Sequence, residues 1–358
     1  MLIEELNRRD LPNVLQMNDG TKVTTKEEWA VRRKEIRKLL CNEFGGHTPD
    51  FPTTVETCIT KEDENSFGGK AVTYELDIRC RSPFSYFAFP CSLTIPKGVE
   101  KPAVFLTLTF TPTIADGLGE EILDHGYAIA SVYYQDIAPD KEDDFVGGVG
   151  RFCNRNRFDS WGKIGMWAWG TSRIMDYLQT LDTIDTGRIA VIGHSRLGKA
   201  ALWSGAMDER FSLVISNDSG GGGAALFRGK TGEKVVNLSN KGSNCWFCGN
   251  FFKYKDLEEE MPFDQHFLLS LVAPRNLYVS SASVDAWADP LSEFLSCVAA
   301  SPVYEILRET GLITPDSRPK VNECYHEGKI GYHLRGGTHY LSRFDWQKVM
   351  EYRKKHMV

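Results

Sequence analysis

A serine that could act as a nucleophile lies in the segment IAVIGHSRLGKAALW, between an apolar run and a helix rich in small residues. Gly193 precedes Ser195 by two residues and Gly198 follows it by three, which allows a tight fold on both sides. A serine on such a strand, turn and helix points its hydroxyl toward the carboxyl end of the sheet, where the helix N-terminus stabilises an oxyanion. The spacing departs from G-x-S-x-G, because Leu197 occupies the last glycine position. We interpret Ser195 as a nucleophile; the alternative is a serine that only caps the helix.

A nucleophilic serine needs a general base, and the best candidate is His339 in RGGTHYL. This glycine-rich turn follows the strand-like run KIGYHLR and precedes a C-terminal helix from Phe344, so the histidine can be aimed from a loop. Four competing histidines have structural interpretations, since they lie inside a strand, at a helix start, in the terminal tail and beside the nucleophile: His333, His266, His356 and His194.

Two aspartates compete to orient that histidine. Asp285, in SSASVDAWADP, follows the late strand NLYVSS, and the acid of a Ser, Asp, His order belongs in such a loop. Asp218, in SNDSGGGG, follows the earlier strand LVISN on a glycine-rich loop that could also reach the cleft. Either could instead be a turn-forming residue, as we expect for Asp289.

The elements that must position these residues alternate between short apolar runs and helical or loop stretches. The runs AVFLTLTF, AIASVYY, IAVIGH, LVISN and NLYVSS read as strands, and helices are predicted over 164–181, 196–207, 265–271 and 291–307. Such alternation predicts a mostly parallel central sheet with helices on both faces. Together with the serine turn, it predicts an α/β-hydrolase fold.

The N-terminal part should pack on this body as one domain. Thr25 and Glu28 form a capping-box pattern before apolar residues at helical spacing, which predicts a helix reaching Phe44. Two β-rich runs between Val72 and Pro96, separated by a Ser-Pro turn, predict an antiparallel hairpin. We therefore divide the chain into a helical and extended segment, 1–70, and a hydrolase domain, 71–358.

Composition excludes several classes of function. The net charge of −6 is spread along the chain without a basic block, which excludes nucleic acid as a partner. The first ten residues lack the pattern of a secretory leader, and the sequence contains no apolar stretch of membrane-spanning length, so we expect no membrane association. The nine cysteines indicate reduced thiols. These features predict a cytoplasmic enzyme of unspecified oligomeric state.

Three further patterns carry little chemistry. Cys245 and Cys248 have C-x-x-C spacing without a second pair, so we expect two packed thiols. The run Gly220–Gly223 has no following Lys-Ser/Thr and is not a phosphate loop. The acidic stretch DKEDD, which begins at Asp140, predicts a solvated loop that could also bind a cation. No metal or organic cofactor is expected.

The segment GHSRLGK resembles the carbohydrate esterase family that contains the glucuronoyl esterases, whose elbow reads G-C-S-R-x-G-K with the same displaced glycine. The resemblance extends over roughly the last two hundred residues. It includes, in order, NDSGGGGAAL, Trp246-Phe247, PFDQH, LVAPRNLYV, the Asp285-x-Trp287 pair and GGTH.

The resemblance implies roles for residues around the nucleophile. Arg196 would stabilise the oxyanion through its backbone N–H and its cationic side chain, with a second donor from the loop near Phe110. Lys199 would bind sugar hydroxyls. Two cations at a helix N-terminus oppose the helix dipole, so they call for a functional or structural reason. The substrate side would also include Trp287 beside the sugar ring, Trp246 and, as the nearest carboxylate, Glu233.

The sequence also departs from the family pattern. Asp218 stands where the family usually has a glutamate, and His194 and Tyr340 replace two cysteines that form a disulfide in fungal members. The prediction is therefore a serine esterase acting on a small or oligosaccharide ester, glucuronoyl-esterase-like, with a sugar acetyl esterase as the alternative. A catalytically inactive hydrolase fold used for binding is the alternative from another class.

Overall fold

The computed structural model describes residues 2–49, 54–83, 85–114, 116–142, 144–240 and 242–358. Ten strands form its central sheet: β1 (Thr54–Ser66), β2 (Ala71–Ser82), β3 (Ser85–Pro96), β4 (Val104–Thr109), β5 (Ala128–Tyr133), β6 (Ile189–His194), β7 (Leu213–Asn217), β8 (Asn276–Ala282), β9 (Cys324–Tyr325) and β10 (Ile330–Arg335).

The described helices alternate with these strands along most of the chain. They are α1 (Leu2–Arg8), α2 (Lys26–Glu43), α3 (Asp116–Asp124), α4 (Tyr134–Ile137), α5 (Lys163–Leu178), α6 (Arg196–Met207), α7 (Val235–Leu238), α8 (Gln265–Ser270), α9 (Pro290–Ile306) and α10 (Arg343–His356).

The sheet confirms the expected mostly parallel architecture. Its strand order is β1-β2-β3-β5-β4-β6-β7-β8-β10-β9, and every pairing from β5 through β4, β6, β7 and β8 to β10 is parallel. The strands β1, β2 and β3 add an antiparallel extension at one edge, and β9 pairs antiparallel at the other. This arrangement is an α/β-hydrolase fold.

Helices cover both faces because the strands alternate their side chains between two cores. Leu106 and Val191 belong to the larger core, which includes apolar residues of α5, α6 and α9. Their neighbours Phe105 and Ile192 point into the second core, which contains Ile122 of α3 and residues of α10. The continuous burial of β4, β6 and β7 therefore reflects packing on two sides.

The N-terminal part agrees with the sequence in one element and departs from it in another. Helix α2 begins with the expected capping box, in which Glu28 N–H donates to the Thr25 hydroxyl and the Glu28 carboxylate accepts the Thr25 N–H. Strand β1 was not expected, because its sequence TVETCITKEDENS is largely polar; most of its residues are exposed in the structure. It pairs with β2 and so adds a strand from the segment 1–70 to the common sheet.

The β2–β3 pair is the predicted hairpin, although Phe84 at the start of its second run lies outside the described residues. Helix α10 begins at Arg343 and extends to His356, which is therefore a helical residue and not part of a tail. Among the described helices, none is both long and apolar enough to cross a membrane.

Candidate active site

Ser195 occupies a strained turn between β6 and α6. Its backbone lies at φ 57° and ψ −129°, a region that non-glycine residues rarely adopt. The turn is tight enough that a Cβ at Gly193 would lie 2.0 Å from the carbonyl oxygen of Leu197. The displaced Gly198 has a similar reason, since a Cβ there would meet the Ser219 side chain at 3.0 Å. Both glycines beside Ser195 are thus explained by the close approach of neighbouring atoms.

The structure brings the serine, one histidine and one aspartate into a hydrogen-bonded chain. The Ser195 hydroxyl lies 2.8 Å from Nε2 of His339, and Nδ1 of the same ring lies 2.6 Å from Oδ2 of Asp285. These residues come from the turn after β6, the loop after β10 and the loop after β8, which all open at the carboxyl edge of the parallel sheet. Of the two candidate acids, Asp285 is therefore the one that contacts the imidazole.

The ionisation of Asp285 determines the tautomer of His339. Burial would raise the pKa of Asp285, but hydrogen bonds from His339 and from the Ala288 N–H, together with the histidine charges, outweigh it and lower that pKa. An ionised carboxylate only accepts hydrogen bonds, so Nδ1 carries the proton. The lone pair of Nε2 then faces the Ser195 hydroxyl, as a general base requires.

Asp218 occupies a different environment. Its Oδ1 accepts the Ala282 N–H at 2.6 Å, while within the described part of the chain its buried Oδ2 has no hydrogen-bond partner and lies 3.7 Å from the Arg335 guanidinium. Burial, with the nearby Glu293 and Asp285 charges, raises the pKa of Asp218 to about 9. A pKa above neutrality favours the protonated form of this side chain at neutral pH.

The ligand atoms of Asp218, Asp285 and His339 lie within 4.8 Å of one another, a spacing that could hold a metal ion. Both ring nitrogens of His339 are already used by Asp285 and Ser195. The arrangement therefore suits proton transfer better than metal coordination.

His194 lies closer to the chemistry than its structural interpretation suggested. Its ring centroid is 4.5 Å from that of His339, and its Nδ1 lies 2.6 Å from the side-chain oxygen of Asn217. Burial and the neighbouring His339 lower the pKa of His194 to about 4, so it is neutral at physiological pH. The ring packs against the base without competing for the serine proton.

A pocket of about 230 Å³ opens beside Ser195. Its volume lies just below the ~300–1,000 Å³ typical of ligand pockets, so it suits a compact ligand. The wall combines polar and aromatic groups with the reactive residues: Ser195, Arg196, Lys199, Asp218, Ser219, Gly220, Glu233, Trp246, Trp287, Ala288 and His339. All four residues that the sequence assigned to substrate binding line this pocket.

Lys199 cannot bind a sugar as directly as expected. Its ammonium donates to the carbonyl oxygens of Ser219 and Gly221 at 2.8 and 2.5 Å and to the Glu233 carboxylate at 2.6 Å. An ammonium has three protons, and all three are used within the protein. Lys199 therefore holds the glycine-rich loop and Glu233 in place, and Glu233 becomes the polar group that faces the pocket.

Arg196 and Phe110 also lie near the nucleophile. Phe110 follows β4 and is 41% exposed; its ring lies 6.2 Å from that of His194. The Arg196 guanidinium lies 5.8 Å from the Phe110 ring and 4.8 Å from the Trp246 ring. The Arg196 side chain and the N-terminus of α6 thus both border the pocket beside Ser195.

One residue of the site was missed by the sequence analysis. Asp140 belongs to the acidic stretch expected to be solvated, but its side chain is 5% exposed and accepts hydrogen bonds from Arg196 and Trp246 at 2.6 and 2.8 Å. Its neighbour Asp143 lies outside the described residues. The two unexplained cations at the start of α6 were the available signal, because each requires a carboxylate partner.

The remaining sequence patterns have structural roles. Cys245 and Cys248 are buried free thiols, and burial raises the pKa of each to about 11. The run Gly220–Gly223 contains residues with φ of 59° and 73°, and its loop supplies a carbonyl to Lys199. The glycines thus shape the pocket wall.

Comparison with known proteins identifies related esterases. The sequence model of the family described as "Glucuronyl esterase, fungi" matches residues 81–308. A curated carbohydrate esterase from an unknown prokaryotic organism is 36% identical over 97% of this chain and 90% of its own length. The 4-O-methyl-glucuronoyl methylesterase of Schizophyllum commune is 31% identical over 83% of this chain and 73% of its own length.

Solved structures give the same result. A glucuronoyl esterase from Solibacter usitatus superposes with a TM-score of 0.88 at 35% identity, covering 96% of this chain and 97% of the other. A promiscuous esterase of the same carbohydrate esterase family, from a marine bacterial metagenome, gives a TM-score of 0.87 at 35% identity and 97% coverage of both chains.

The expected cytoplasmic location is wrong, because the characterised glucuronoyl esterases among these relatives are secreted, extracellular enzymes. The pattern of the first ten residues and the reduced thiols do not fix a compartment. The expected hydrolysis of carbohydrate esters is confirmed, because the relatives are esterases, which also disfavours the inactive binding protein. This chain belongs to the glucuronoyl esterase family of carbohydrate esterases and is a carboxylic ester hydrolase.

Proposed function

We propose that this esterase hydrolyses esters of glucuronic acid through an acyl-enzyme, with Ser195 as nucleophile, His339 as general base and Asp285 as the acid that orients the base. The observation that carries the proposal is the hydrogen-bonded chain from Ser195 to His339 to Asp285, at 2.8 and 2.6 Å, at the mouth of the pocket. Its geometry lies within hydrogen-bond reach at both links, as proton transfer requires.

In the first half of the reaction, Ser195 Oγ forms a bond to the ester carbonyl carbon while its proton passes to Nε2 of His339. The carbonyl oxygen becomes negative and is stabilised by the Arg196 N–H and side chain, with the backbone near Phe110 as a second donor. When the tetrahedral intermediate collapses, the bond to the alkoxide breaks. The alcohol leaves with the proton from His339.

In the second half, water attacks the acyl-enzyme and gives a proton to His339. Collapse of this intermediate breaks the bond to Ser195 Oγ, which recovers its proton from Nε2. The product is an acid that ionises in water near neutral pH, so it carries a negative charge that the neutral ester lacked.

The pocket supports a sugar acid as the acyl part of the ester. Trp246 and Trp287 offer indole faces, and Trp287 is 53% exposed at the rim. Glu233, held by Lys199, offers an acceptor for hydroxyl groups. An acetyl group as the acyl part has no ring or hydroxyl group to offer these residues, and the methylesterase relatives act on glucuronoyl esters by name. These observations favour the glucuronoyl ester over the acetyl ester.

The test is hydrolysis of benzyl glucuronate and of an acetylated xylo-oligosaccharide by the wild type and by Ser195→Ala. We expect a preference for the glucuronate ester and a loss of at least ~10⁴-fold in kcat for the variant. Preference for the acetyl ester would assign the pocket to acetyl sugars instead. Full activity of Ser195→Ala would overturn the proposed nucleophile.

A further inference from the structure

Asp140 makes three hydrogen bonds that end on groups around the nucleophile. Oδ2 accepts from Nη1 of Arg196 at 2.6 Å and from the hydroxyl of Tyr134 at 3.2 Å, while Oδ1 accepts from the indole N–H of Trp246 at 2.8 Å. The Asp140 side chain is 5% exposed, whereas that of Arg196 is 36% exposed. A buried carboxylate thus holds a partly exposed cation that lines the pocket.

The guanidinium of Arg196 is held from several sides. The rings of Trp246 and Phe110 lie 4.8 and 5.8 Å from it, and Asp140 binds one of its terminal nitrogens. Its buried Nε has no hydrogen-bond partner among the described residues. An arginine side chain has several rotatable bonds, so these contacts remove conformational freedom that would otherwise be lost during the reaction.

The same contact balances the charge of the pocket. Arg196 is paired with Asp140 at 2.6 Å, and Lys199 is paired with Glu233 at 2.6 Å. An unpaired cation would not strengthen the binding of the neutral ester in the ground state. It would strengthen the binding of the ionised acid product. Paired cations therefore favour release of an anionic product.

We propose that Asp140 is a positioning residue that acts through Arg196: it directs the guanidinium toward the ester carbonyl and balances its charge, so that the anionic product is not retained. The inference rests on the proposed role of Arg196 in stabilising the oxyanion. It assigns a function to a residue of the acidic stretch that does not itself contact the reacting atoms.

The test compares Asp140→Asn, Asp140→Glu and Tyr134→Phe with the wild type, measuring kcat and KM on benzyl glucuronate and inhibition by free glucuronate. For Asp140→Asn we expect kcat/KM to fall roughly 10- to 100-fold, since the cation loses its orientation. The inhibition constant of glucuronate should fall roughly fivefold, because one positive charge becomes unpaired. Structural damage alone would lower kcat/KM and would also weaken inhibition by glucuronate.

Two further variants separate the effect of the position of the Asp140 carboxylate from the effect of its charge. Asp140→Glu keeps the charge but displaces it, so kcat/KM should fall without tighter glucuronate inhibition. Tyr134→Phe removes one hydrogen bond to Asp140 and leaves the ion pair intact, so both constants should stay within about threefold of wild type, as for a weak neutral hydrogen bond. If Asp140→Asn does not fold, an unchanged kcat/KM for Asp140→Glu would still overturn the positioning role.

A double-mutant cycle with Arg196→Met separates this inference from the proposed function. Arg196→Met alone should lower kcat, and an unchanged kcat would reject the oxyanion role. If that variant is impaired, adding Asp140→Asn should cause no further loss in kcat/KM. An equal loss in both backgrounds would show that Asp140 acts independently of Arg196 and would overturn the inference.

Discussion

Asp218 and Asp285 place carboxylate oxygens within 4.8 Å of His339 and of each other, yet their environments shift their pKa values in opposite directions. Asp285 receives hydrogen bonds from His339 and a backbone N–H, which favour its ionised form. Asp218 is buried near other acids, which favours its protonated form. Two aspartates are thereby suited to different tasks: the ionised one accepts hydrogen bonds, and the protonated one can donate a hydrogen bond.

The two aspartates should respond differently to the same substitution. Asp285→Asn should lower kcat roughly 10²- to 10⁴-fold, because the amide can favour the wrong tautomer of His339. Asp218→Asn replaces a protonated acid by a neutral amide and should change kcat less than about tenfold. Steady-state kinetics on benzyl glucuronate measures both, and a larger loss for Asp218→Asn would reassign the acid.

Asp218→Asn should also alter the pH dependence of stability. Because burial raises the folded-state pKa of Asp218 from 3.8 to about 9, the folded chain retains a proton that the unfolded chain loses between these values. Stability contributed by this group is complete at low pH and falls as pH rises through that window, by at most about 1.4 kcal/mol per pH unit.

Asp218→Asn has no titrating group at this position, so its stability lacks this dependence on pH. Denaturant unfolding of both proteins between pH 5 and pH 8 should give a free-energy difference that increasingly favours Asp218→Asn. A difference that stays constant with pH would show that Asp218 is ionised in the folded protein.

At the scale of elements, the turn between β6 and α6 is held by packed elements on both sides. The strand pairs in parallel with β4 and β7, and the helix packs against β6 and β7, so neither can move to relieve a clash. Ser195 keeps its strained backbone because the packed elements on both sides determine it.

Gly193→Ala should destabilise this turn. Its Cβ would approach a backbone oxygen to 2.0 Å, and overpacking of this kind costs about 1–3 kcal/mol or more. Activity should fall with stability, because the turn carries the serine. Gly117→Ala is the matched control, since a Cβ there meets nothing within 4 Å. Equal free energies of unfolding for the two variants would contradict the steric explanation.

At the scale of the whole molecule, α10 closes one face of the sheet through a buried arginine. Arg353 is 1% exposed and donates to the carbonyl oxygens of Val104 and Arg188 at 3.0 and 2.5 Å, and also to that of Val358. Its guanidinium lies 4.3 Å from the Phe105 ring. These contacts join the last helix to strands that are far apart in sequence.

Arg353→Met should lower the free energy of unfolding by about 1–3 kcal/mol, because the carbonyl oxygens of Val104 and Arg188 each lose a charged donor, while the Arg188 oxygen keeps the Val104 N–H. The substitution lies at the amino ends of β4 and β6, away from Ser195, so kcat/KM should be unchanged. The exposed neighbour Lys354→Met should change stability by no more than about 0.5 kcal/mol. Matching unfolding midpoints for both variants would contradict the proposed anchoring role.

The sequence by itself determined the parts of this protein that depend on local sterics and on side-chain periodicity. The two glycines around Ser195 indicate a tight turn because only glycine tolerates such close backbone approach. The apolar runs of β4, β6, β7 and β8 indicate strands buried on both sides. The resemblance around GHSRLGK indicated the family, which the comparisons confirm.

The tertiary structure decided what depends on contacts between distant residues. It placed Asp285, and not Asp218, against His339, paired Lys199 with Glu233, and buried Asp140 against Arg196, which lies 56 residues away in sequence. It also added strand β1, which forms by pairing with β2 although its polar composition does not predict a strand. The periodicity of a sequence indicates which side chains are buried. The conformation of the loops determines which charged side chains contact each other.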